Sequence, residues 1–143
     1  MNKKIVLVGG CFDLLHYGHI TFLSQAKALG EKLVVALESD ENVRRAKGEA
    51  RPIHSQEKRK EMLTALTAVD EVLMLKPMST DEEYSRLVHD VSPSVIATTE
   101  GDPILEKKKS QAQRVGAQLV VIPKIHTPST SQLAKLIGLE PTP

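Results

Sequence analysis

His16 and His19 stand three residues apart in the run Gly9-Gly10-Cys11-Phe12-Asp13-Leu14-Leu15-His16-Tyr17-Gly18-His19. Residues at that separation are neighbours on a helix surface, so both imidazoles face the same way. Near neutral pH an imidazole is a hydrogen-bond donor or a cation. Either suits a phosphoryl group that gains charge in a transition state. The apolar run Ile5-Val6-Leu7-Val8 precedes the pair, and residues with helical spacing, Ile20, Leu23, Ala26 and Lys27, follow it. A strand, a glycine-bearing turn and a helix start form an anion site, because free N–H groups and the helix dipole both favour negative charge there. Two histidines at this spacing can also be half of a metal site. The single cysteine and the lack of an acidic residue at HExxH spacing argue against that reading.

The elements that must hold these residues are short apolar runs alternating with longer amphipathic stretches. Strands are expected at Ile5–Val8, Leu33–Leu37, Glu71–Leu75, Val95–Ala97 and Leu119–Ile122. The runs are rich in Val and Ile and nearly continuously apolar, as strands buried on both faces are. Helices are expected at Ile20–Leu29, Gln56–Ala68, Asp81–Val91 and Ile104–Val115. Crossovers of this length join parallel strands in right-handed βαβ units. The expected fold is a Rossmann-like α/β domain: one doubly wound, five-stranded parallel sheet of order 3-2-1-4-5 with helices on both faces. Ligands of such sheets sit beyond the carboxyl ends of the strands, where the histidine pair lies. Gly30 is expected to close the first helix as its C′ residue. Ser55 is expected to cap the helix at Gln56, and Ser79-Thr80 with Asp81, Glu82 and Glu83 to open the next.

Three other stretches carry chemistry. From Arg44 to Lys60, Arg44, Arg45, Lys47, Arg51, Lys58, Arg59 and Lys60 are interleaved with acids, and charge alone reads this as a solvated surface. Thr98-Thr99-Glu100-Gly101-Asp102 follows the fourth strand. Gly101 permits close approach of a ligand. Asp102 can accept from a ribose hydroxyl or a base amine, or, with Pro103, can cap a helix. In Thr127-Pro128-Ser129-Thr130-Ser131-Gln132-Leu133, the hydroxyls of Ser129, Thr130 and Ser131 offer a phosphate cradle or an N-cap. His54, His89 and His126 read as loop or surface residues.

Gly10 to His19 resembles the G-x-F-D-x-x-H-x-G-H signature of the cytidylyltransferase-like nucleotidyltransferases, with Cys11 where Thr or Val is common. Lys47-Gly48, Arg51-Pro52 and Glu57-Lys58-Arg59 resemble a K-G…R-P…E-x-R stretch of the same enzymes. Asp70 lies in their V-D strand start, and Ser129–Ser131 resemble their late Ser/Thr motif, with Gln132 in place of a common Lys. The resemblance runs from Gly9 to Gln132, so one nucleotidyltransferase domain over residues 1–143 is expected. It implies transfer of a nucleoside monophosphate from a triphosphate to a phosphate-bearing acceptor, with release of pyrophosphate. It implies His16, His19, Lys47 and Arg59 as the catalytic set. Nucleotide contacts would be completed by Gly10, Cys11, Phe12, Tyr17, Gly18, Gly101, Asp102, Ser129, Thr130 and Ser131. Mg2+ would arrive with the nucleotide, held mainly by phosphates, and no protein metal site is expected. Asp13 is expected in a structural or supporting role.

Three groups of relatives are similar. The K-G-x-x-R-P pattern is closest to the adenylyltransferase domain of heptose-phosphate enzymes, and it favours ATP over CTP. The length and the P-I…E-x-R stretch resemble archaeal-type FAD synthases. The wording D-L-L-H-x-G-H resembles glycerol-3-phosphate cytidylyltransferases. The small stand-alone size puts FMN first as acceptor, with heptose 1-phosphate or glycerol 3-phosphate as alternatives. The resemblance also implies a homodimer. A non-catalytic nucleotide-binding module is a further alternative, and the presence of both histidines, Lys47 and Arg59 speaks against it.

The net charge of +1 and the aromatic content of 3%, without Trp, give no basis for a nucleic-acid partner. No apolar run is long enough for a membrane span, and the basic Met1-Asn2-Lys3-Lys4 is followed by too short an apolar stretch for a signal sequence. A cytoplasmic enzyme is expected.

Overall fold

The computed structural model describes residues 3–125. Five strands form one parallel sheet: β1 (Ile5–Gly10), β2 (Lys32–Leu37), β3 (Glu71–Met74), β4 (Val95–Thr99) and β5 (Gln118–Ile122). Their order is β3-β2-β1-β4-β5, as expected from the alternating pattern. β1 is central and runs in full register with β2, from Ile5 beside Lys32 to Gly10 beside Leu37. Its end is therefore level with the end of β2, and both open into the same crevice.

Helices cover both faces. On one face Val6, Val8, Leu33 and Val35 pack with Leu23 and Ala26 of α1 (Tyr17–Lys27) and with Leu63. On the other, Leu7, Val34, Ala36 and Ile96 pack with Val88 and Ala112. Strand residues pointing both ways are buried, which is why the runs lack polar alternation. Asp70, just before β3, accepts from the Leu33 N–H and from Lys27, tying α1 and the edge strand to β2.

Between β2 and β3 lie two helices, α2 (Asp40–Lys47) and α3 (Gln56–Thr64). α2 lies in a stretch expected to be a basic loop. Val43 is its one buried residue, but its ends are well formed: Ser39 caps it, Asp40 and Glu41 sit in the first turn, and Arg44, Arg45 and Lys47 in the last. Charges in that order complement the helix dipole. α4 (Asp81–Val91) starts with a capping box between Thr80 and Glu83, and α5 (Leu105–Val115) ends at Gly116 in left-handed conformation.

Gly30 does not serve as the expected helix terminator. Ala28 is the C-cap of α1, in right-handed conformation. Gly30 is small because the chain crosses β1 closely: a Cβ there would lie 2.8 Å from both the Lys4 carbonyl oxygen and Val6 Cγ2. The obstacle is partly backbone, so it cannot swing aside. Gly30→Ala is expected to destabilise the protein by about 1–3 kcal/mol. Urea denaturation checks this, with a lowered midpoint and an unchanged slope.

Candidate active site

The chain leaves β1 at Gly10 and turns into α1 through a strained loop. Phe12 and Leu14 adopt left-handed backbone angles, with φ of 46° and 58°. Such angles persist in residues with side chains only where the surroundings enforce them. Between these two residues, the buried Asp13 carboxylate accepts from Arg51 Nε at 2.7 Å, the Ile53 N–H at 2.8 Å and the His54 N–H at 3.1 Å. Burial alone would raise the Asp13 pKa. The Ile53 N–H, the Arg51 guanidinium and the His54 N–H outweigh it and hold the acid below its ordinary value. Gly10 is required here by contact, since a Cβ would lie 2.8 Å from the Phe12 ring.

His16 is the N-cap of α1, and its Nδ1 accepts from the Gly18 N–H at 3.1 Å. His19 Nδ1 in turn accepts from the His16 N–H at 3.2 Å. The two imidazoles thus form a reciprocal capping pair, with ring centroids 4.0 Å apart. An imidazole that accepts at Nδ1 keeps its proton on Nε2. Burial, then the His16 and Lys47 charges, push the His19 pKa down to about 4. Burial also lowers that of His16. Both side chains are therefore neutral Nε2–H donors at pH 7, not cations. Their position over the start of α1 adds the helix dipole to these donors. Phe12 supports the pair with its ring edge-on to His19 at 5.6 Å between centroids.

Positive charge is supplied by Lys47, the exposed last residue of α2, whose charge acts on both Cys11 and His19. The following Gly48 has φ of 107°, an angle that suits only glycine. Burial raises the Cys11 pKa against the opposing charge of Lys47, so the residue stays a thiol. Tyr17 is the exposed first residue of α1, and the Gly18 N–H is engaged by His16.

Arg59 departs from the expectation of direct phosphate contact. It is 1% exposed. Its Nε donates to the His54 carbonyl at 3.0 Å, one terminal nitrogen to the Cys11 carbonyl at 2.8 Å, and the other to Asp40 at 2.7 Å. Each of the three guanidinium nitrogens is thus engaged within the protein. Its role here is to position the β1–α1 loop, the 51–54 loop and the start of α2 against one another.

Asp102 is also engaged within the protein. It accepts from the Ile104 N–H at 2.9 Å, from Lys108 at 2.6 Å and from the Thr98 hydroxyl. It does not cap α5, whose N-cap position is Ile104. Burial would raise its pKa, but Lys108, Thr98 and the Ile104 N–H hold it low. Gly101 beside it has φ of 85° and open space over its Cα. Ser129, Thr130, Ser131, Gln132 and His126 lie outside the described residues.

A cavity of about 530 Å3 opens beside the phosphate loop, on the α4 and α5 side of the sheet. It reaches Gly9, Gly10 and Cys11, and its wall includes Glu38, Asn42 and Tyr84. These last three were not singled out from sequence. The available signal was position: Glu38 directly follows β2, at the strand ends where α/β sheets bind ligands.

A model of the family described as cytidylyltransferase-like matches residues 7–133. The chain belongs to this family. It is 41% identical over 136 residues to the bifunctional protein HldE of Coxiella burnetii, covering 94% of this chain and 28% of that one. Identity to HldE of Desulfatibacillum aliphaticivorans is 38% over 137 residues, covering 92% and 26%. The chain thus spans about a quarter of the length of these relatives. Among solved structures, a lipopolysaccharide core biosynthesis protein from Thermoplasma volcanium superposes with a TM-score of 0.69 at 25% identity, covering 87% of this chain and 98% of that one. Pantoate-beta-alanine ligase from Francisella tularensis shares the fold, with a TM-score of 0.60 at 18% identity over 88% of this chain and 61% of that one. No helix among the described residues is long and apolar enough to cross a membrane.

Two stability predictions follow from this geometry. Arg59→Ala leaves two carbonyls and the Asp40 carboxylate without their donor, and is expected to cost about 3 kcal/mol or more. Lys47→Ala, at an exposed position, is expected to stay within about 0.5 kcal/mol of wild type. Denaturant unfolding of both variants checks the contrast. Separately, the unfolded chain takes up protons on histidine near pH 6.5, whereas folded His19 does so only near 4. The unfolded state therefore binds more protons in that window, and stability falls as pH falls through it. Thermal melts between pH 7 and 4 are expected to show this loss, and His19→Gln to flatten it.

Proposed function

We propose that this nucleotidyltransferase moves AMP from ATP to the phosphate of heptose 1-phosphate, releasing pyrophosphate. The observation that carries the site assignment is the pair of neutral imidazoles at the start of α1, both with Nδ1 engaged and Nε2–H left to donate. The choice of acceptor rests on similarity to the HldE proteins over almost the whole chain. That similarity falls on the heptose-phosphate side of the resemblances read from sequence. It displaces FMN, which the small size of the chain had put first, and leaves the glycerol 3-phosphate alternative without comparable support.

The chemistry needs no covalent intermediate. An acceptor phosphate oxygen attacks the α-phosphorus of ATP in line, and the bond to the bridging oxygen of pyrophosphate breaks. The chain must align the two phosphates and stabilise charge on the α-phosphate and the leaving group. His16 and His19 donate to the α-phosphate region, and being neutral and already oriented they need no reorganisation during reaction. Lys47 brings charge to the outer phosphates from the end of α2. Ser129, Thr130 and Ser131 are proposed to add hydroxyl donors, and Gly101 to admit the nucleoside beside β4. Mg2+ would come with the triphosphate and screen its charge.

The test is pyrophosphate release from ATP or CTP with heptose 1-phosphate, FMN and glycerol 3-phosphate as acceptors. ATP with heptose 1-phosphate is expected to give the highest kcat/KM, and preference for FMN would overturn the proposal. With the preferred pair, His19→Ala is expected to lower kcat about 100-fold or more with little change in nucleotide KM. Lys47→Ala is expected to raise nucleotide KM as well. Near-wild-type turnover by His19→Ala would remove this motif from catalysis.

A further inference from the structure

On the opposite side of β1 from the histidine pair, the cavity wall carries a cluster of side chains from three elements. Glu38 directly follows β2 and is fixed beside the phosphate loop by its N–H, which donates to the Gly10 carbonyl at 3.1 Å. Asn42 belongs to α2 and Tyr84 to α4. The Tyr84 hydroxyl donates to the Glu38 carboxylate, with oxygen separations of 3.1 and 3.0 Å. The Asn42 Nδ2 group donates to Glu38 Oε2 at 2.8 Å and to the Met78 carbonyl at 3.0 Å, and lies 3.0 Å from the Tyr84 oxygen. Burial, then the Glu38 charge, push the Tyr84 pKa up to about 12, so its proton stays in place.

Within this cluster acceptors outnumber donors. A carboxylate offers about four lone-pair sites, and an amide oxygen about two. The phenol has one proton to give and the amide has two, all engaged. Asn42 Oδ1 is buried without a hydrogen-bond partner among the described residues. An unpaired buried acceptor is unfavourable and indicates a place where a donor belongs. The ligand chemistry that fits is one of several O–H donors. Sugar hydroxyls supply these, and each can rotate its proton toward an acceptor.

We propose that Glu38, Asn42 and Tyr84 form a hydroxyl-reading subsite for the sugar part of the acceptor, in which the Glu38 carboxylate takes hydrogen bonds from the sugar. The inference rests on the sugar phosphate reading above and deepens it. The cavity runs from this cluster to Gly10 and Cys11, so a sugar held here lies next to the loop that leads into the histidine pair. Asn42 and Tyr84 hold the carboxylate in place, and the Asn42 oxygen is available to a hydroxyl when the cluster adjusts to ligand. A hydrogen bond to a charged group contributes more than one between neutral groups, so Glu38 dominates the discrimination.

The experiment uses the whole chain at saturating ATP. The acceptors are heptose 1-phosphate, mannose 1-phosphate and single-deoxy analogues of the latter, with pyrophosphate release as readout. Glu38→Gln is expected to raise the sugar phosphate KM at least 10-fold while ATP KM stays within twofold. At least one deoxy analogue is expected to lose 10-fold or more in kcat/KM on wild type, but less than threefold on Glu38→Gln. A purely structural role would lower activity equally on every analogue, and that result would overturn the subsite. Tyr84→Phe keeps the ring and tests the same point if Glu38→Gln folds poorly: the same convergence between analogues is expected, at smaller amplitude. Unchanged sugar phosphate KM in a folded variant, with an active wild type, overturns the subsite and leaves the proposed function standing. A wild type that turns over no sugar phosphate overturns both.

Discussion

The Arg59 guanidinium is the interaction on which the rest of the site depends. It is buried beneath the crevice and bonds to Cys11 in the phosphate loop, to His54 in the loop before α3 and to Asp40 at the start of α2. Cys11 lies 48 residues before Arg59 and Asp40 lies 19 before it, so the guanidinium joins segments that the chain alone does not bring together. A planar fork with five donors is suited to holding several oxygens at once. Leaving such a group buried is unfavourable unless every face is satisfied. Asp13 complements it from the other direction, a buried carboxylate in the phosphate loop that collects donors from Arg51, Ile53 and His54. Two opposite charges thus tie the β1–α1 loop to the 51–54 loop.

The histidine pair becomes oriented as a consequence. With the loop fixed, His16 and His19 exchange bonds with the backbone at the start of α1, and Phe12 supports His19 from one side. Burial and mutual proximity keep both rings neutral. A site of neutral, oriented donors with one mobile cation at Lys47 separates two tasks. In the proposed reaction the rings would respond to charge that develops near them, and the lysine would attract the polyphosphate as a whole. Cationic histidines would have bound the ground state more strongly, with less of that interaction reserved for the transition state.

β1 divides the site. On the α1 side lie the donors just described, and on the α4 side lies a cavity with acceptors at Glu38 and Asn42. The strand end between them is Gly9-Gly10, and the missing side chain of Gly10 lets Phe12 lie against the backbone. Hydrogen-bond donors and acceptors therefore stand on either side of a thin partition, and the proposed reaction of a phosphorylated polyol with a nucleotide would use both.

Much of this was legible in the residues alone. The five apolar runs specified the parallel sheet because buried strands of Val and Ile can hardly be placed otherwise, and the family motif placed the histidines at the end of β1. α2 was missed, although Ser39, Asp40-Glu41 and Arg44-Arg45 carry the cap and charge order of a helix, because Val43 and Ala46 are its only apolar residues and the charges around them read as a solvated surface. Gly30 was misread because a glycine that avoids a distant carbonyl looks the same in sequence as one that ends a helix. What only the tertiary structure decided was which charges face solvent and which are spent inside. Lys47 and Arg59 come from the same basic stretch, yet one is exposed at a helix end and the other is sealed among oxygens. Composition determines that a charge is present. Its partners come from segments brought together only on folding, and they decide whether it meets a ligand or holds the site that does.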